Sequence, residues 1–523
     1  MSTPDDHGAR QPPANLTGEP LTRRRLLVAG GTGAAALTFG GVLAGCGAAR
    51  ERVDLTVRAM SSEVELGRRR ARTSTYDGQL PGRELRLKQG EPVRIRLVND
   101  LEQPTSIHWH GIRLQNAADG VPGFTQKPVG AGEEFVYAFT PPDAGTFFFH
   151  PHVGVQLDRG LYAPLIVEPR REPLSYDREA VLMFDDWLDG LAGTPERRLA
   201  QLRANGMDMG AMHSGSDTAM NGMGATDNAG RGRSRHLSVD GRTPGPDSLA
   251  RLANELEAGR LDPGDVRDYP LYLANGRPPD DPARITVRKG DRLRLRLINP
   301  SADTIFCVFV ERHELEVVHA DGLAVRPVRT DAVILGMGER YDAMLQVSGE
   351  GVARIVAVAL GKRGRAIALL RNTDSTARAP APDAPVRMPR RVLSYDDLRA
   401  AGAPARSGEE PRLVRLDLAM RDAGYVWTIG GQAFPKADPI RVRRGERIRF
   451  VMRNRTMMPH PMHLHGHSFS VGGDGGPLKD TALALPMREL VLDWTADNPG
   501  SWAYHCHNVY HQEAGMMRRV EVA

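Results

Sequence analysis

The 523 residues predict an all-β chain of three tandem Greek-key β-sandwich domains. Three observations carry that prediction. One strand pattern recurs three times, a turn signature precedes each copy, and no long helical periodicity intervenes apart from an Arg/Leu/Glu-rich piece near residues 247–260.

The first copy reads Leu85-Arg86-Leu87-Lys88-Gln89-Gly90-Glu91 and runs into Val93 through Asn99. The second spans Ile285 to Asp291, with Lys289-Gly290 at its centre, and leads from Leu293 to Asn299. The third spans Ile440 to Glu446 around Arg444-Gly445 and leads from Ile448 to Asn454. In each, an apolar/polar alternation breaks at a Gly-acid pair and resumes, which is two strands joined by a tight turn with one face buried. Asp77-Gly78-Gln79, Asn275-Gly276-Arg277 and Gly430-Gly431-Gln432 are the preceding turns. Breaks are expected near residue 170 and in the Pro-rich stretch from Arg378 to Pro385, giving sandwiches over 46–170, 171–385 and 386–523.

A hydrophobic content of 41% and a charged content of 25% are those of a soluble globular protein. The net charge of +5 is small for this length and comes from Arg scattered along strands, so nucleic acid is not an expected partner. Three cysteines, Cys46, Cys307 and Cys506, cannot build a disulfide framework. Cys307, on Ile305-Phe306-Cys307-Val308, reads as a buried core thiol.

Residues 1–45 read as an address. Thr22-Arg23-Arg24-Arg25-Leu26-Leu27 and a Gly/Ala-rich stretch ending Leu43-Ala44-Gly45-Cys46 resemble a twin-arginine export signal joined to a lipoprotein cleavage box. A transmembrane span would need about 20 strongly apolar residues, and this stretch is too rich in glycine. The expectation is export, with Cys46 as an acylated N-terminus on the outer face of the cytoplasmic membrane, or a free extracellular or periplasmic protein if it is not processed so.

The histidines cluster on the repeats. His108-Trp109-His110 follows Asn99 and His463-Leu464-His465 follows Asn454, while Val308 and Val310 stand at the matching place in the middle copy. The outer copies also end alike, in His150-Pro151-His152 and His505-Cys506-His507. On a strand, residues i and i+2 share a face, so each pair aims two imidazoles into one space. Eight imidazoles would meet if the outer domains packed together, a density that suits Cu, Zn, Fe or Ni. Cys506 points the other way from its flanking histidines. With His460, His511 and Met516 it completes Cys, two His and a weak axial Met, the ligand set of a blue-copper electron-transfer site.

With these motifs the chain resembles the multicopper oxidases, in their three-domain bacterial laccase and cuprous-oxidase form, over everything after the signal. The resemblance implies cupredoxin-like domains and four copper ions. It implies a type 1 copper on His460, Cys506, His511 and weakly Met516, and a type 2 copper on His108 and His463. A type 3 pair would take His110, His150, His152, His465, His505 and His507. A substrate would reduce the type 1 copper, and electrons would pass through Cys506 to the trinuclear cluster, where O2 becomes water. Asp119, in Asp119-Gly120-Val121-Pro122-Gly123, resembles the family's acid near the cluster and is the proton-relay candidate. One departure is Gln512, where bacterial relatives often carry Glu after the second type 1 histidine; Gln cannot ionise, and Glu513 stands beside it.

An axial Met is expected to set a type 1 potential at the low end for the family, with weak power against resistant phenols. Residues 205–224 hold Met207, Met209, Met212, Met220 and Met223 with His213. Thioethers favour Cu(I), so the reducing substrate is expected to be Cu(I), with phenols or aromatic amines as the other reading. Met457, Met458 and Met462 near His460 point the same way. A copper-dependent nitrite reductase would not need eight cluster histidines, and a copper-sequestering envelope protein would not need the cluster at all. A monomer is expected.

Overall fold

The same strand exchange is made three times in the structure, a computed structural model that describes residues 53–206, 248–349, 351–373, 375–402, 410–421 and 424–523. The signal-like segment with Cys46, and Met207, Met209, Met212, His213, Met220 and Met223, lie outside the described residues.

In the first sandwich the sheet Arg69–Tyr76, Leu55–Leu66, Val93–Asn99, Glu134–Phe139 faces the sheet Leu85–Lys88, Ala163–Glu168, Gly145–His150, His108–His110. The second and third each face a six-stranded sheet against a five-stranded one, over Arg178–Asn372 and Arg412–Val522. The two strands of each sequence repeat are not hydrogen-bonded to one another. The turn carries the chain from one sheet to the facing one, and Gly90, Gly290 and Gly445 make it with φ of 76°, 89° and 81°. The first strand of each repeat then pairs in parallel with the last strand of its sandwich, as Leu85 with Leu165, Ile285 with Leu370 and Ile440 with Val520. The second pairs in parallel with the sandwich's opening strand. These long-range parallel pairings close the Greek key.

Both turn residues are left-handed in Asp77-Gly78, Asn275-Gly276 and Gly430-Gly431, the type I′ geometry of a tight hairpin. Each repeat ends on a fully buried asparagine that staples the next loop. The Asn99, Asn299 and Asn454 amides donate to Val129 O, Leu335 O and Ala484 O, each at 2.9 Å. Nine residues beyond these anchors come His108, Val308 and His463.

The helical piece is the helix Ser248–Glu257. A second helix, Pro195–Asn205, was hidden in a short Arg-rich run; Thr194 caps it by accepting the Arg197 N–H at 3.3 Å, Pro195 starts it, and Leu199 and Leu202 bury its inner face. No helix among the described residues is long and apolar enough to cross a membrane.

Candidate metal centres

His108 is registered with His150 across the first sandwich's strand pair, and His463 with His505 across the third's. Strand alternation turns the other member of each pair to the same side, and the two sandwiches bring these faces together. Rings stack across the junction, His108 on His465 at 3.8 Å and His110 on His463 at 3.9 Å between centroids. All eight histidines are buried. Their nitrogens form three groups, each within 4.8 Å: His108, His110 and His463; His110, His150 and His507; His152, His465 and His505.

This donor set is incomplete without a cation. The Nε2 atoms of His108, His150 and His463, Nδ1 of His110, and both ring nitrogens of His507 are buried with no hydrogen-bond partner, a costly state for polar atoms. The opposite nitrogens are tied down. Nδ1 of His108, His463, His150 and His505 donates to the carbonyls of Asp119, Asp480, Pro151 and Cys506, each at 2.9 Å. A neutral imidazole has one N–H, so each bond leaves the Nε2 lone pair facing the cluster. Burial, reinforced by neighbouring imidazoles, pushes His110, His150, His152, His465, His505 and His507 well below the usual range. They stay neutral, as metal ligands must.

On the other face of the last strand, Cys506 Sγ lies 3.5 Å from His511 Nδ1 and 3.7 Å from His460 Nδ1, and those two nitrogens are 3.1 Å apart. His511 is delivered by the short helix Val509–Glu513, capped by Asn508. Met516 is buried alongside, its N–H on His511 O at 2.9 Å and its O accepting from Cys506 N at 3.1 Å. Trp427 covers His511 at 3.9 Å and His460 at 5.2 Å between ring centroids. Cys506 and its two neighbours thus join this thiol site to the imidazole cluster by covalent bonds alone.

Asp119, the candidate named from sequence, lies beside two of the cluster histidines. Its Oδ1 is 3.2 Å from His108 Nδ1 and its Oδ2 3.0 Å from His465 Nδ1. Two further carboxylates were not singled out from sequence. Asp480 lies 3.2 Å from His110 Nε2, and Asp265 lies 3.0 Å from His511 Nε2 while accepting from Tyr425 OH at 2.5 Å. Burial opposes a charge on His511, but Asp265 outweighs it and raises the imidazole to about 10. Neither acid belongs to a local motif. Asp480 follows His463 by 17 residues where Asp119 follows His108 by 11, so the repeat does not align them. Gln512 donates to Glu513 Oε1 at 3.3 Å, and burial raises the Glu513 carboxyl. Cys307 is fully buried, which raises its thiol to about 12.

Family models described as multicopper oxidase match residues 59–172, 178–375 and 409–523. Multicopper oxidase MmcO of Mycobacterium tuberculosis is 37% identical over 476 residues, covering 90% of this chain and 87% of that one. The chain belongs to the multicopper oxidases. This multicopper oxidase is also similar to copper resistance protein A of Escherichia coli, at 28% identity over 90% of this chain and 92% of that one. A solved multicopper oxidase from Pseudomonas thermotolerans superimposes with a TM-score of 0.64 at 27% identity, covering 90% of this chain and 100% of the other. The three sandwiches are cupredoxin-like, copper is the cofactor, and the enzyme passes electrons from a reducing substrate to O2.

Proposed function

We propose that this multicopper oxidase is a cuprous oxidase, with the thiol site as the point of electron uptake and the imidazole cluster as the site of O2 reduction. In this reading His460, Cys506 and His511, with Met516 weakly, hold the type 1 ion. His108 and His463 hold the type 2 ion, and the type 3 pair sits on His110, His150 and His507 and on His152, His465 and His505. Copper supplies one-electron redox chemistry at the first site and the reduction of O2 to water at the second. Cys506 gives the covalent link between them. Asp265 orients His511 from the substrate side, and Asp119, within hydrogen-bond reach of His108 and His465, is the group able to hold and deliver protons.

The observation that carries the substrate is Met457. It is 39% exposed three residues from His460, and its carbonyl accepts the Asp262 N–H at 3.0 Å, so an exposed thioether stands beside an acidic segment close in sequence to a type 1 ligand. Arg203, at the end of the helix that leads into the methionine-rich run, donates to Glu513 O at 2.6 Å, on the short helix that carries His511. Soft thioether ligands of this kind favour Cu(I).

The domain limits 46–170, 171–385 and 386–523, twin-arginine export, acylation at Cys46 with attachment to the outer face of the membrane, and a monomeric state complete the proposal. A mass spectrum of the mature N-terminus showing an acylated Cys46 would support the anchor, and an unmodified later residue would refute it. The substrate is tested by O2 uptake with Cu(I) and with a simple phenol, repeated after deleting residues 205–224. Faster turnover of Cu(I), lost on deletion, supports a cuprous oxidase. A faster phenol, unaffected or accelerated by the deletion, makes the enzyme a laccase.

A further inference from the structure

The middle sandwich has no His-x-His pair, yet one of its side chains grips a carboxylate that lies beside the histidine cluster. We propose that Arg340 is a positioning residue for the trinuclear site, fixing through Asp480 which ring nitrogens of His110 and His463 face the metal. The inference rests on the ligand assignment above.

Arg340 is fully buried. Its Nη1 and Nη2 donate to the two oxygens of Asp480, each at 2.7 Å, and its Nε donates to Thr146 O of the first sandwich at 3.1 Å. A planar fork held at both ends fixes the plane of the carboxylate it grips. Asp480 Oδ1 lies 3.2 Å from His110 Nε2, and Thr481 Oγ1, which donates to that same Oδ1 at 2.9 Å, is left to accept from His110 Nε2 at 3.2 Å and His463 Nδ1 at 3.1 Å. Ionised carboxylate and committed hydroxyl are both acceptors here, so the proton of His110 stays on Nε2 and that of His463 on Nδ1. The nitrogens thereby released, His110 Nδ1 and His463 Nε2, are the ones buried without a partner. This accounts for the reversed use of His110, which alone of the tied imidazoles offers Nδ1 to the cluster.

Packing couples the clamp to the ligand strand. Gly111 follows His110 with φ of 85°, and a Cβ there would fall 2.6 Å from Asp480 Oδ2 and closer still to Arg340 Nη2. A single buried carboxylate, Asp321, holds both partners by the backbone, accepting N–H bonds from Arg340 at 2.9 Å, Asp480 at 3.2 Å and Thr481 at 3.1 Å. Asp119, whose carbonyl accepts from His108 as that of Asp480 accepts from His463, forms no ion pair with Arg or Lys among the described residues, so the clamp is confined to one side of the cluster.

The test compares copper-loaded wild type with Arg340→Met, Arg340→Lys and Asp480→Asn, reading copper per chain, the blue absorption band and the type 2 EPR signal. Outer-shell partners of metal-bound histidine change metal affinity roughly 10- to 100-fold. Arg340→Met and Asp480→Asn are expected to weaken type 2 copper by that factor and alter its hyperfine splitting, with the blue band intact and Arg340→Lys intermediate. If Arg340→Met is not recovered in soluble form, the near-isosteric Asp480→Asn and the charge-preserving Arg340→Lys carry the same readout. Wild-type copper content and an unchanged type 2 signal in these variants, even with a lowered melting temperature, would overturn the proposal. A wild-type protein lacking the blue band would instead refute the ligand assignment beneath it.

Discussion

The first and third sandwiches place a histidine opposite a histidine at one register position, His108 against His150 and His463 against His505. Counting from those anchors, His460, Cys506, His511 and Met516 of the third correspond to Thr105, Pro151, Gln156 and Leu161 of the first. In the third, the Cys506 thiol and two imidazoles converge. In the first, Thr105 Oγ1 donates to Gln156 Oε1 at 2.8 Å and Leu161 fills the remaining space. The frame therefore provides the same corner twice, and four side chains decide whether it closes on itself or stays open to a metal. The middle sandwich goes further, with Ile305, Val308 and Val310 buried where the outer ones carry polar groups. It contributes a clamp to the cluster in place of ligands.

The sharpest way to break the comparison is Cys506→Ser, which makes the third corner as redox-inert as the first. The blue band and substrate turnover are expected to vanish while the circular dichroism spectrum stays that of the wild type. Next in size is Asp119→Asn. Removing a positioned proton donor typically lowers a rate by about 10²-fold or more, so O2 turnover should fall by that order with the blue band retained and the pH profile flattened.

A pH dependence separates the two corners further. His511 titrates at about 10 in the folded copper-free chain, above its ordinary 6.5. The stability that this pairing with Asp265 contributes is therefore complete below pH about 6.5 and lost as pH rises through about 10. Thermal melting of the copper-free protein should show that decline, and Asp265→Asn should shrink it and move it to lower pH, since Asp265 is the larger of the two groups that raise His511, ahead of Cys506. The first corner has no such group. There the expected effect is smallest: Thr105→Val leaves Gln156 Oε1 without its donor and should cost about 1–3 kcal/mol of stability, seen as a lower melting temperature with unchanged copper spectra.

The convergence of the histidines and of Cys506 with its neighbours was legible because strand geometry is local. His-x-His on a strand needs no tertiary information to put two imidazoles on one face, and a cysteine between two histidines must point away from both. Asp265, Asp480 and Arg340 were not legible. Each acts across a contact between sandwiches, with Arg340 and Asp480 separated by 140 positions and His110 and Thr481 by 371. Single acidic or basic residues near strand ends carry no periodic signal, and most such residues simply face water. The helix Pro195–Asn205 carries a weak sequence signal for a related reason: besides Pro195 at its start, Leu199 and Leu202 alone form its buried face, too few to make a period stand out.

The sequence alone determined the three-fold strand repeat, the absence of His-x-His pairs from its middle copy, and a cysteine set between two histidines on the last repeat, because alternation and turn preference act within a few residues. Only the tertiary structure decided which histidines lie together, which ring nitrogens are left without a partner, and which carboxylate is gripped by an arginine. Those properties depend on hydrogen bonds between sandwiches, and such contacts exist only once the three cores have packed together.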